Sequence, residues 1–266
     1  MDVLSWAKGK NQEITTLGRG SNILISDAGI RGLTICLRDY ESNLRAGSVQ
    51  PNSDGLIEIG AGVSMPRLSK IAAALGWKGY GFLIGIPGTV GGGLYMNAGY
   101  KRDEKEDMAH LCQSFLYLNS KYELKEVSYH SINPSYRYTD FHGTQNIIIE
   151  GRFKCIEKAD PDLIRKETRT HLEMRKRMQP LAAKTAGSVF KNTESGVSAA
   201  VLIDKAGLKG YCLGGVRVSQ KHANWIENTG SGTAEDVLRL IGHVIKVVKD
   251  NYGEVLVPEV KKLGLF

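Results

Sequence analysis

Long apolar runs are missing from this chain. No stretch of its 266 residues approaches the ~18 consecutive apolar residues of a membrane-spanning helix, which excludes an integral helical membrane protein. The start, Met1-Asp2-Val3-Leu4-Ser5-Trp6, lacks a basic leading segment, and Lys8, Lys10 and Glu13 end its apolar character early, so it does not read as a secretory signal. Cysteine is scarce. Cys36, Cys112, Cys155 and Cys212 lie far apart with no C-x-x-C, and read as free thiols of a reducing, cytoplasmic compartment. The six histidines show no metal-ligand spacing and no H-E-x-x-H, so no metal is expected. Neither a G-x-x-x-x-G-K-[ST] loop nor a strand–GxGxxG–helix unit occurs, which disfavours a P-loop and a Rossmann site. A basic stripe with interleaved aromatics is also absent. The densest basic run, Arg175-Lys176-Arg177, sits beside Glu167 and Glu173 in a helical segment and reads as a solvated helix face, so no nucleic-acid partner is expected. There is no internal repeat and no low-complexity segment.

What remains is a soluble globular composition, 42% apolar and 24% charged, long enough for one large or two ordinary domains. The net charge of +7, from 35 basic and 28 acidic residues, suits an anionic ligand. Glycine is concentrated. Six of the fifteen residues of Gly85–Gly99, GIPGTVGGGLYMNAG, are glycine. Glycine packs nothing and costs backbone entropy, so such a run points to close approach or positive φ, and successive N–H groups turned toward one point would cradle a phosphate. A plain glycine-rich bend is the simpler explanation. Against it stands a second glycine turn, Gly18-Arg19-Gly20-Ser21-Asn22, running straight into the apolar Ile23-Leu24-Ile25. Two such loops about seventy residues apart fit a diphosphate cofactor held from two sides.

The local patterns predict these elements. Residues 1–16 hold a short helix followed by the β-like Ile14–Leu17; 32–37 and 56–60 read as buried strands. Ser64 N-caps a helix with Pro66 in its first turn, Leu68, Ile71, Ala72 and Leu75 on one face and Gly76 closing it. Residues 114–118 and 123–127 flank Asn119-Ser120-Lys121 as a hairpin, and 147–153 is a further strand. Asp160-Pro161 opens a charged helix with a thin stripe of Leu163, Ile164 and Leu172. Ser198 N-caps 199–206, Gly214-Gly215 leads into a strand at 216–218, and Thr233 with Asp236 forms a capping box for a core helix ending at Gly253. The tail returns as 255–260.

Six stretches then come in the order of one family's motifs: GRGSNILISDAGIRGL from Gly18, GIPGTVGGGLYMNAG from Gly85, SYRYTDF at 135–141, QPLAAKTAGSVFKN at 179–192, KHANWIEN at 221–228 and LVPEVKKLG at 256–264. From about Leu17 to Gly264 the chain resembles the UDP-N-acetylenolpyruvoylglucosamine reductases, flavoenzymes that make UDP-N-acetylmuramate for peptidoglycan. The resemblance implies an α+β fold of two domains. Residues 1–156 would be an FAD-binding domain of the vanillyl-alcohol-oxidase/p-cresol-methylhydroxylase type, and 157–266 an α+β substrate-binding domain. It implies FAD and NADPH as cofactors, a UDP-sugar substrate and, as the favoured state, a monomer. By motif, Ser188 matches the proton-donating serine, Arg137 the arginine that stabilises the substrate carboxylate, and Glu259 the catalytic glutamate that orients or protonates the enolate. Lys191 and Asn192 match substrate contacts. Gly18, Gly20, Ser21, Asn22, Gly85, Ile86, Pro87, Gly88, Thr89, Gly91 and Gly92 match flavin-side positions. On pattern alone, Ser188 reads as a turn residue, Arg137 as a surface arginine and Glu259 as an outward glutamate. His222 is either a nucleotide contact or a structural histidine.

The chain departs from the family pattern at several places. Relatives carry roughly forty further residues before the first glycine turn; the site is then completed differently, or the chain is truncated, or cofactor binding is weakened. Residues 101–107 form a charge run, expected as a solvated loop, that alters the stretch after Gly99. Lys184 and Thr193 stand where proline is usual, which predicts a less rigid loop after Asn192. The short span from Arg137 to Asp160 matches the subtype that lacks an inserted loop. Two other readings are a flavin oxidase of the same fold acting on another substrate, and a non-catalytic remnant that binds flavin or nucleotide sugar.

Overall fold

The computed structural model describes residues 2–38, 49–100 and 106–266. In chain order the elements are α1 (Asp2–Gly9), β1 (Ile14–Leu17), β2 (Ile23–Ile25), β3 (Leu33–Cys36), β4 (Leu56–Gly60), α2 (Met65–Ala74), α3 (Val90–Met96), α4 (Met108–Leu111), β5 (Cys112–Leu118), β6 (Leu124–Ser128), β7 (Ile147–Lys154), α5 (Pro161–Met178), α6 (Ala199–Lys205), β8 (Cys212–Leu213), β9 (Val216–Val218), β10 (Ile226–Asn228), α7 (Ala234–Tyr252) and β11 (Lys261–Leu263). Short 3-10 turns lie at Gly81–Gly85 and Tyr129–Ile132. Of the charge run expected as a loop, residues 101–105 lie outside the described residues.

By packing, the chain forms two units: Met1–Arg19 with Gly32–Met174, and Gly20–Arg31 with Arg175–Phe266. This division falls within α5, later than the 156/157 boundary read from the sequence. The reason lies in the backbone. The Lys78 N–H donates to Glu157 O at 2.9 Å and the Ala159 N–H to Gly76 O at 2.8 Å, so the entry to α5 is tied to the first unit. The first glycine turn is where the chain leaves that unit, and Gly32 is where it returns.

In the first unit, β1 and β3 pair in parallel. A four-stranded antiparallel sheet has the order β4-β7-β5-β6. Its core gathers Ile57 and Ile59 from β4, Leu68 and Ala72 from α2, Leu94 from α3, Phe115 from β5 and Phe153 from β7, around Trp77, Tyr80, Phe82 and Tyr129. Full burial of side chains of this size contributes about 1.5–3 kcal/mol each. α2 forms as its sequence predicts: the Ser64 hydroxyl accepts from the Arg67 N–H at 3.3 Å, Pro66 occupies the first turn, and Gly76 exits at φ +70°. The expected hairpin at Asn119 joins β5 and β6, with Leu118 facing Leu124. The strand expected at 32–37 is not buried. β3 alternates between half-buried and exposed residues; among the described residues β1 is its only paired neighbour. On α5, Ile164 and Thr168 are buried one turn apart, whereas Leu163 is exposed.

In the second unit, β8, β9 and β10 form an antiparallel sheet, and β11 pairs in parallel with β2. α7 covers a core of Val216, Val218, Leu240, Ile241, Val244 and Val248 together with Phe190, Ala199, Leu202, Ile203 and Leu256. Its start carries the expected capping box between Thr233 and Asp236. Asp27 adds to it, accepting from the N–H groups of Ala234 at 2.8 Å and Glu235 at 3.2 Å, so the segment after the first glycine turn is fastened to this helix. Ser198 holds the N-cap position of α6 but makes no side-chain cap; the Asn192 Oδ1 accepts from the Ala199 N–H instead, at 3.4 Å. β10, within KHANWIEN, was not anticipated, and the tail forms a strand only at β11.

Candidate active site

Four stretches far apart in sequence meet in the second unit. The chain from Ser188 to Lys191 runs between two partners. On one side Ser188 is bridged to Trp225, the Val189 N–H donates to Asn224 O at 2.9 Å, and the Asn224 side chain clasps Phe190 at both ends. Its Oδ1 accepts from the Phe190 N–H at 2.9 Å and its Nδ2 donates to Phe190 O at 2.8 Å. On the other side Phe190 is bridged to Pro258, the Glu259 N–H donates to Val189 O at 2.7 Å and the Lys191 N–H to Val257 O at 2.9 Å. The fourth stretch is the first glycine turn. The Asn22 Nδ2 reaches Glu259 O at 3.5 Å, and the Lys261 N–H donates to Asn22 O at 3.0 Å. A Cβ on Gly187 would lie 3.5 Å from Ser21 O, and Gly187 has φ +80°. Ser188, Lys191 and Glu259 thus stand on neighbouring extended segments, with Ser21 and Asn22 beside them.

The charges of this cluster are mixed. Burial, and then the Lys191 ammonium, push the Lys261 amine below its ordinary range, while Glu259 pulls it back up. The His222 imidazole is pushed below its ordinary range, first by burial and then by Lys209 and Arg175, and its Nδ1 accepts from the Asn224 N–H at 3.3 Å. That bond suits a neutral structural histidine. Trp225 is 3% exposed and its indole N–H finds no acceptor among the described residues. Directly bridged residues share a face of an extended pair, so this indole walls the Ser188 side of the cluster. Thr193 does not loosen the loop after Asn192. It is buried and exchanges hydrogen bonds with Val197, N–H to Val197 O at 3.0 Å and Oγ1 from the Val197 N–H at 3.0 Å, with Gly196 at φ +85° making the turn.

Arg137 belongs to the first unit. Ser135 and Tyr138 exchange backbone hydrogen bonds of 3.0 and 3.2 Å, leaving Tyr136 and Arg137 at the tip of a tight turn. Arg137 has φ +56°, a conformation that costs a residue with a Cβ of order 1–3 kcal/mol and is held only where the surroundings enforce it. They do so here. The Arg137 Nη2 donates to Gly99 O at 2.8 Å, and buried Asn97 anchors the turn by donating to Ser135 O at 3.0 Å. Asn97 also donates to the Asp107 carboxylate at 3.1 Å and accepts from the Ala109 N–H at 3.0 Å.

The long glycine segment divides into two parts. Gly85 is buried at the end of a 3-10 turn, the Ile86 N–H returns to Leu83 O at 3.1 Å, Pro87 is exposed, and Gly88 has φ +117°. Thr89 is buried and caps α3, accepting from the Gly92 N–H at 3.4 Å. A Cβ on Gly18 would come 2.3 Å from the Thr89 hydroxyl oxygen, so Gly18 and Thr89, seventy-one positions apart, are in contact. Two of the α3 glycines, Gly91 and Gly93, serve packing. A Cβ on Gly91 would meet the Ala61 methyl at 2.9 Å and one on Gly93 the Met65 methyl at 2.6 Å; the Val90 and Gly91 N–H groups bond Val63 O and Ala61 O, both at 2.8 Å. The phosphate cradle anticipated along the whole run is therefore not available at 90 and 91. In the second unit Gly20, at φ +66°, would meet nothing within 4 Å of an added Cβ, leaving its main chain open to a ligand.

Two family descriptions match the chain: "FAD binding domain" over residues 1–128 and "UDP-N-acetylenolpyruvoylglucosamine reductase, C-terminal domain" over residues 179–263. A UDP-N-acetylenolpyruvoylglucosamine reductase of Trichormus variabilis is 37% identical over 99% of this chain and 77% of its own length. The chain belongs to the UDP-N-acetylenolpyruvoylglucosamine reductase family. Another reductase of that name, from Desulforamulus reducens, is 38% identical over 98% of this chain and 82% of its own. The crystal structure of the Thermus caldophilus reductase superposes with a TM-score of 0.79 at 27% identity, covering 97% of this chain and 88% of that one. The fold is thus the α+β arrangement of an FAD-binding domain and the reductase C-terminal domain.

The residues present fit a flavin of this family in one tested respect. Within the first unit, Gly18 and Thr89 bring the two glycine stretches into contact, and in the second unit a Cβ at Gly20 would meet open space. Among the described residues no group of His, Cys, Asp and Glu could hold a metal ion, and no helix is long and apolar enough to cross a membrane. Reading by motif missed Asn97, Asn224, Asp27 and Lys261. The first three organise backbone from a distance, which no local pattern reveals. Lys261 stands two residues beyond Glu259, across a bend at Val260.

Proposed function

We propose that this chain reduces UDP-N-acetylglucosamine enolpyruvate to UDP-N-acetylmuramate with NADPH, through bound FAD, in peptidoglycan precursor synthesis in the cytoplasm. The observation that carries the reading is the pairing of the Ser188 and Glu259 segments beside Lys191 and the first glycine turn, in a chain of this family. Gly18, Gly20, Ser21, Asn22, residues 85–89 and Gly92 would hold the flavin, with Gly91 packed closely on Ala61 behind them. FAD, when bound, supplies to one alkene carbon the hydride it takes from NADPH.

The neighbouring carbon needs a proton, and Ser188 donates it. A serine is a weak acid, so it acts only where negative charge is developing on its acceptor. Arg137 grips the enolpyruvyl carboxylate, whose charge builds as the hydride arrives; a guanidinium suits this because it stays charged and binds a carboxylate through two parallel bonds. Glu259 orients the enolate-like centre. Lys191 and Asn192 contact the nucleotide sugar, and Trp225 keeps water from the serine's side. Residues up to 156 act as the flavin-holding part and those from 157 as the substrate-holding part.

The experiment is an absorbance spectrum of the purified chain before and after adding FAD, followed by an NADPH-consumption assay with the enolpyruvyl substrate. Bands near ~370 and ~450 nm that stay with the protein through gel filtration, and NADPH use that depends on the substrate, are expected. Folded protein that retains no added flavin would overturn the reading and favour the remnant.

A further inference from the structure

Resting on that reading, we infer that Asp107 is a positioning residue for Arg137: one aspartate, through its carboxylate and its main chain, secures both the turn that carries Arg137 and the carbonyl that receives its guanidinium. The first hold runs through Asn97. The Asp107 Oδ2 accepts from the Asn97 Nδ2 at 3.1 Å, and the same Nδ2 donates to Ser135 O at 3.0 Å. The Ala109 N–H donates to Asn97 Oδ1 at 3.0 Å, so the amide meets two acceptors at one end and a donor at the other. Ser135 is the residue whose bridge to Tyr138 closes the Arg137 turn. The second hold runs through Gly99. Asp107 is bridged to Gly99, with the Tyr100 N–H donating to Glu106 O at 2.9 Å and the Met108 N–H to Ala98 O at 3.0 Å. A Cβ on Gly99 would lie 2.8 Å from the Asp107 Cβ, a closeness that only glycine permits. Gly99 O is the acceptor of the Arg137 Nη2, at 2.8 Å.

Helix capping accounts for only half of this side chain. Asp107 holds the N-cap of α4, where one oxygen suffices: its Oδ1 accepts from the His110 N–H at 3.1 Å. The second oxygen serves Asn97, which is buried and has φ +43°. Among the usual capping residues only aspartate offers two acceptor oxygens at once. A serine would cap α4 with its single oxygen and leave the Asn97 amide without this acceptor. An asparagine would cap with its Oδ1 and turn an NH2 toward the NH2 of Asn97. α4 has four residues, too few to hold its place without outside ties, so the main chain that bridges Gly99 depends on the same carboxylate. All of these groups lie in the first unit.

The test reads Arg137 itself. A guanidinium held by a carbonyl rotates slowly about its Nε–Cζ bond, so in the 15N-arginine-labelled chain the two Nη groups of Arg137 should give separate NMR signals, assigned by their loss in Arg137→Lys. Asp107→Ser and Asp107→Asn both keep a cap on α4. Each should merge those signals and raise KM for the enolpyruvyl substrate about tenfold, with kcat within about threefold of the parent and flavin retention unchanged. Asn119→Ala, which loosens the β5–β6 hairpin of the same unit, should leave the signals separate and KM at its parental value. Averaged Arg137 signals in the folded parent, separate signals in either folded Asp107 variant, or merged signals in Asn119→Ala would each overturn the inference. Merged signals with an unmoved KM would overturn it too, as would failure of both Asp107 variants to fold. A parent chain that keeps its Arg137 signals separate and retains flavin, yet never consumes NADPH with the substrate, refutes the proposed function instead, and the spectra then decide the hold of Asp107 on Arg137 by themselves.

Discussion

Ser188 stands on an extended segment clasped from both sides, whereas Arg137 stands at the tip of a tight turn with φ +56°. Each is held by a buried asparagine, by different means. Asn224 binds both backbone groups of one residue, Phe190, and so keeps the Ser188–Lys191 segment straight. Asn97 gathers several partners, Ser135, Asp107 and Ala109, and so forces a turn that Arg137 would not adopt unaided. The difference teaches what each residue needs. In the role proposed for it, a serine that donates a proton would need a fixed distance, which strand pairing suits. In the role proposed for Arg137, its long side chain would need aiming, which the positive-φ turn and the Nη2 bond to Gly99 O suit.

The largest effect that would sharpen this comparison is chemical. Ser188→Ala should lower kcat by about 10²–10⁴-fold while leaving flavin retention and the melting temperature nearly unchanged, because its neighbours bond through backbone. A variant retaining more than a tenth of parental kcat would remove the serine from the proton-donating role. Next come the two asparagines. Asn97→Ala and Asn224→Ala each leave buried backbone groups unpaired and should cost about 2–3 kcal/mol in urea unfolding. They should part in kinetics: Asn97→Ala raises KM through the loosened Arg137 turn, and Asn224→Ala lowers kcat through displaced Ser188. Identical kinetic signatures would break the distinction.

A smaller effect tests the contact between the two glycine stretches. Gly18→Ala puts a methyl 2.3 Å from the Thr89 hydroxyl oxygen, and Thr89, buried and capping α3, cannot swing aside. A loss of about 1–3 kcal/mol with weaker flavin retention is expected, partly recovered by adding Thr89→Ala. The smallest effect concerns His222. Its folded form resists protonation, so below the ordinary pKa of 6.5 the unfolded chain binds more protons. Stability should therefore be flat above that pH on this group's account and decline as pH falls from about 6.5 through the lowered folded value. Urea midpoints compared at pH 7.5 and 5 should show that decline shrinking in His222→Gln.

These features also mark how far the sequence could be read. Ser64 and Pro66, the hairpin at Asn119, Asp160-Pro161 and the Thr233–Asp236 box were readable because each is a contact within a few residues. The motif order identified the family and the α+β two-part fold. Three things were hidden. The pairing of 258–261 with both 22–23 and 189–191 joins stretches that are distant in sequence, and no periodicity encodes it. The packing boundary was hidden because residues 157–159 bond back to Lys78 and Gly76. Gly91 resembled a ligand-facing glycine, but its contact with Ala61 is one of packing. Among the candidate residues, Arg137's positive φ emerges only in three dimensions.

The measurement that tests the central claim most directly is an anaerobic single turnover followed at ~450 nm. NADPH is added to the flavin-loaded chain, and then UDP-N-acetylglucosamine enolpyruvate. The account predicts that NADPH removes the flavin band and that the substrate restores it within seconds, with one UDP-N-acetylmuramate formed per flavin, while the Ser188→Ala chain is reduced normally but reoxidised at least about a hundredfold more slowly. A band that NADPH removes but this substrate never restores would contradict it and leave a flavin enzyme with another electron acceptor.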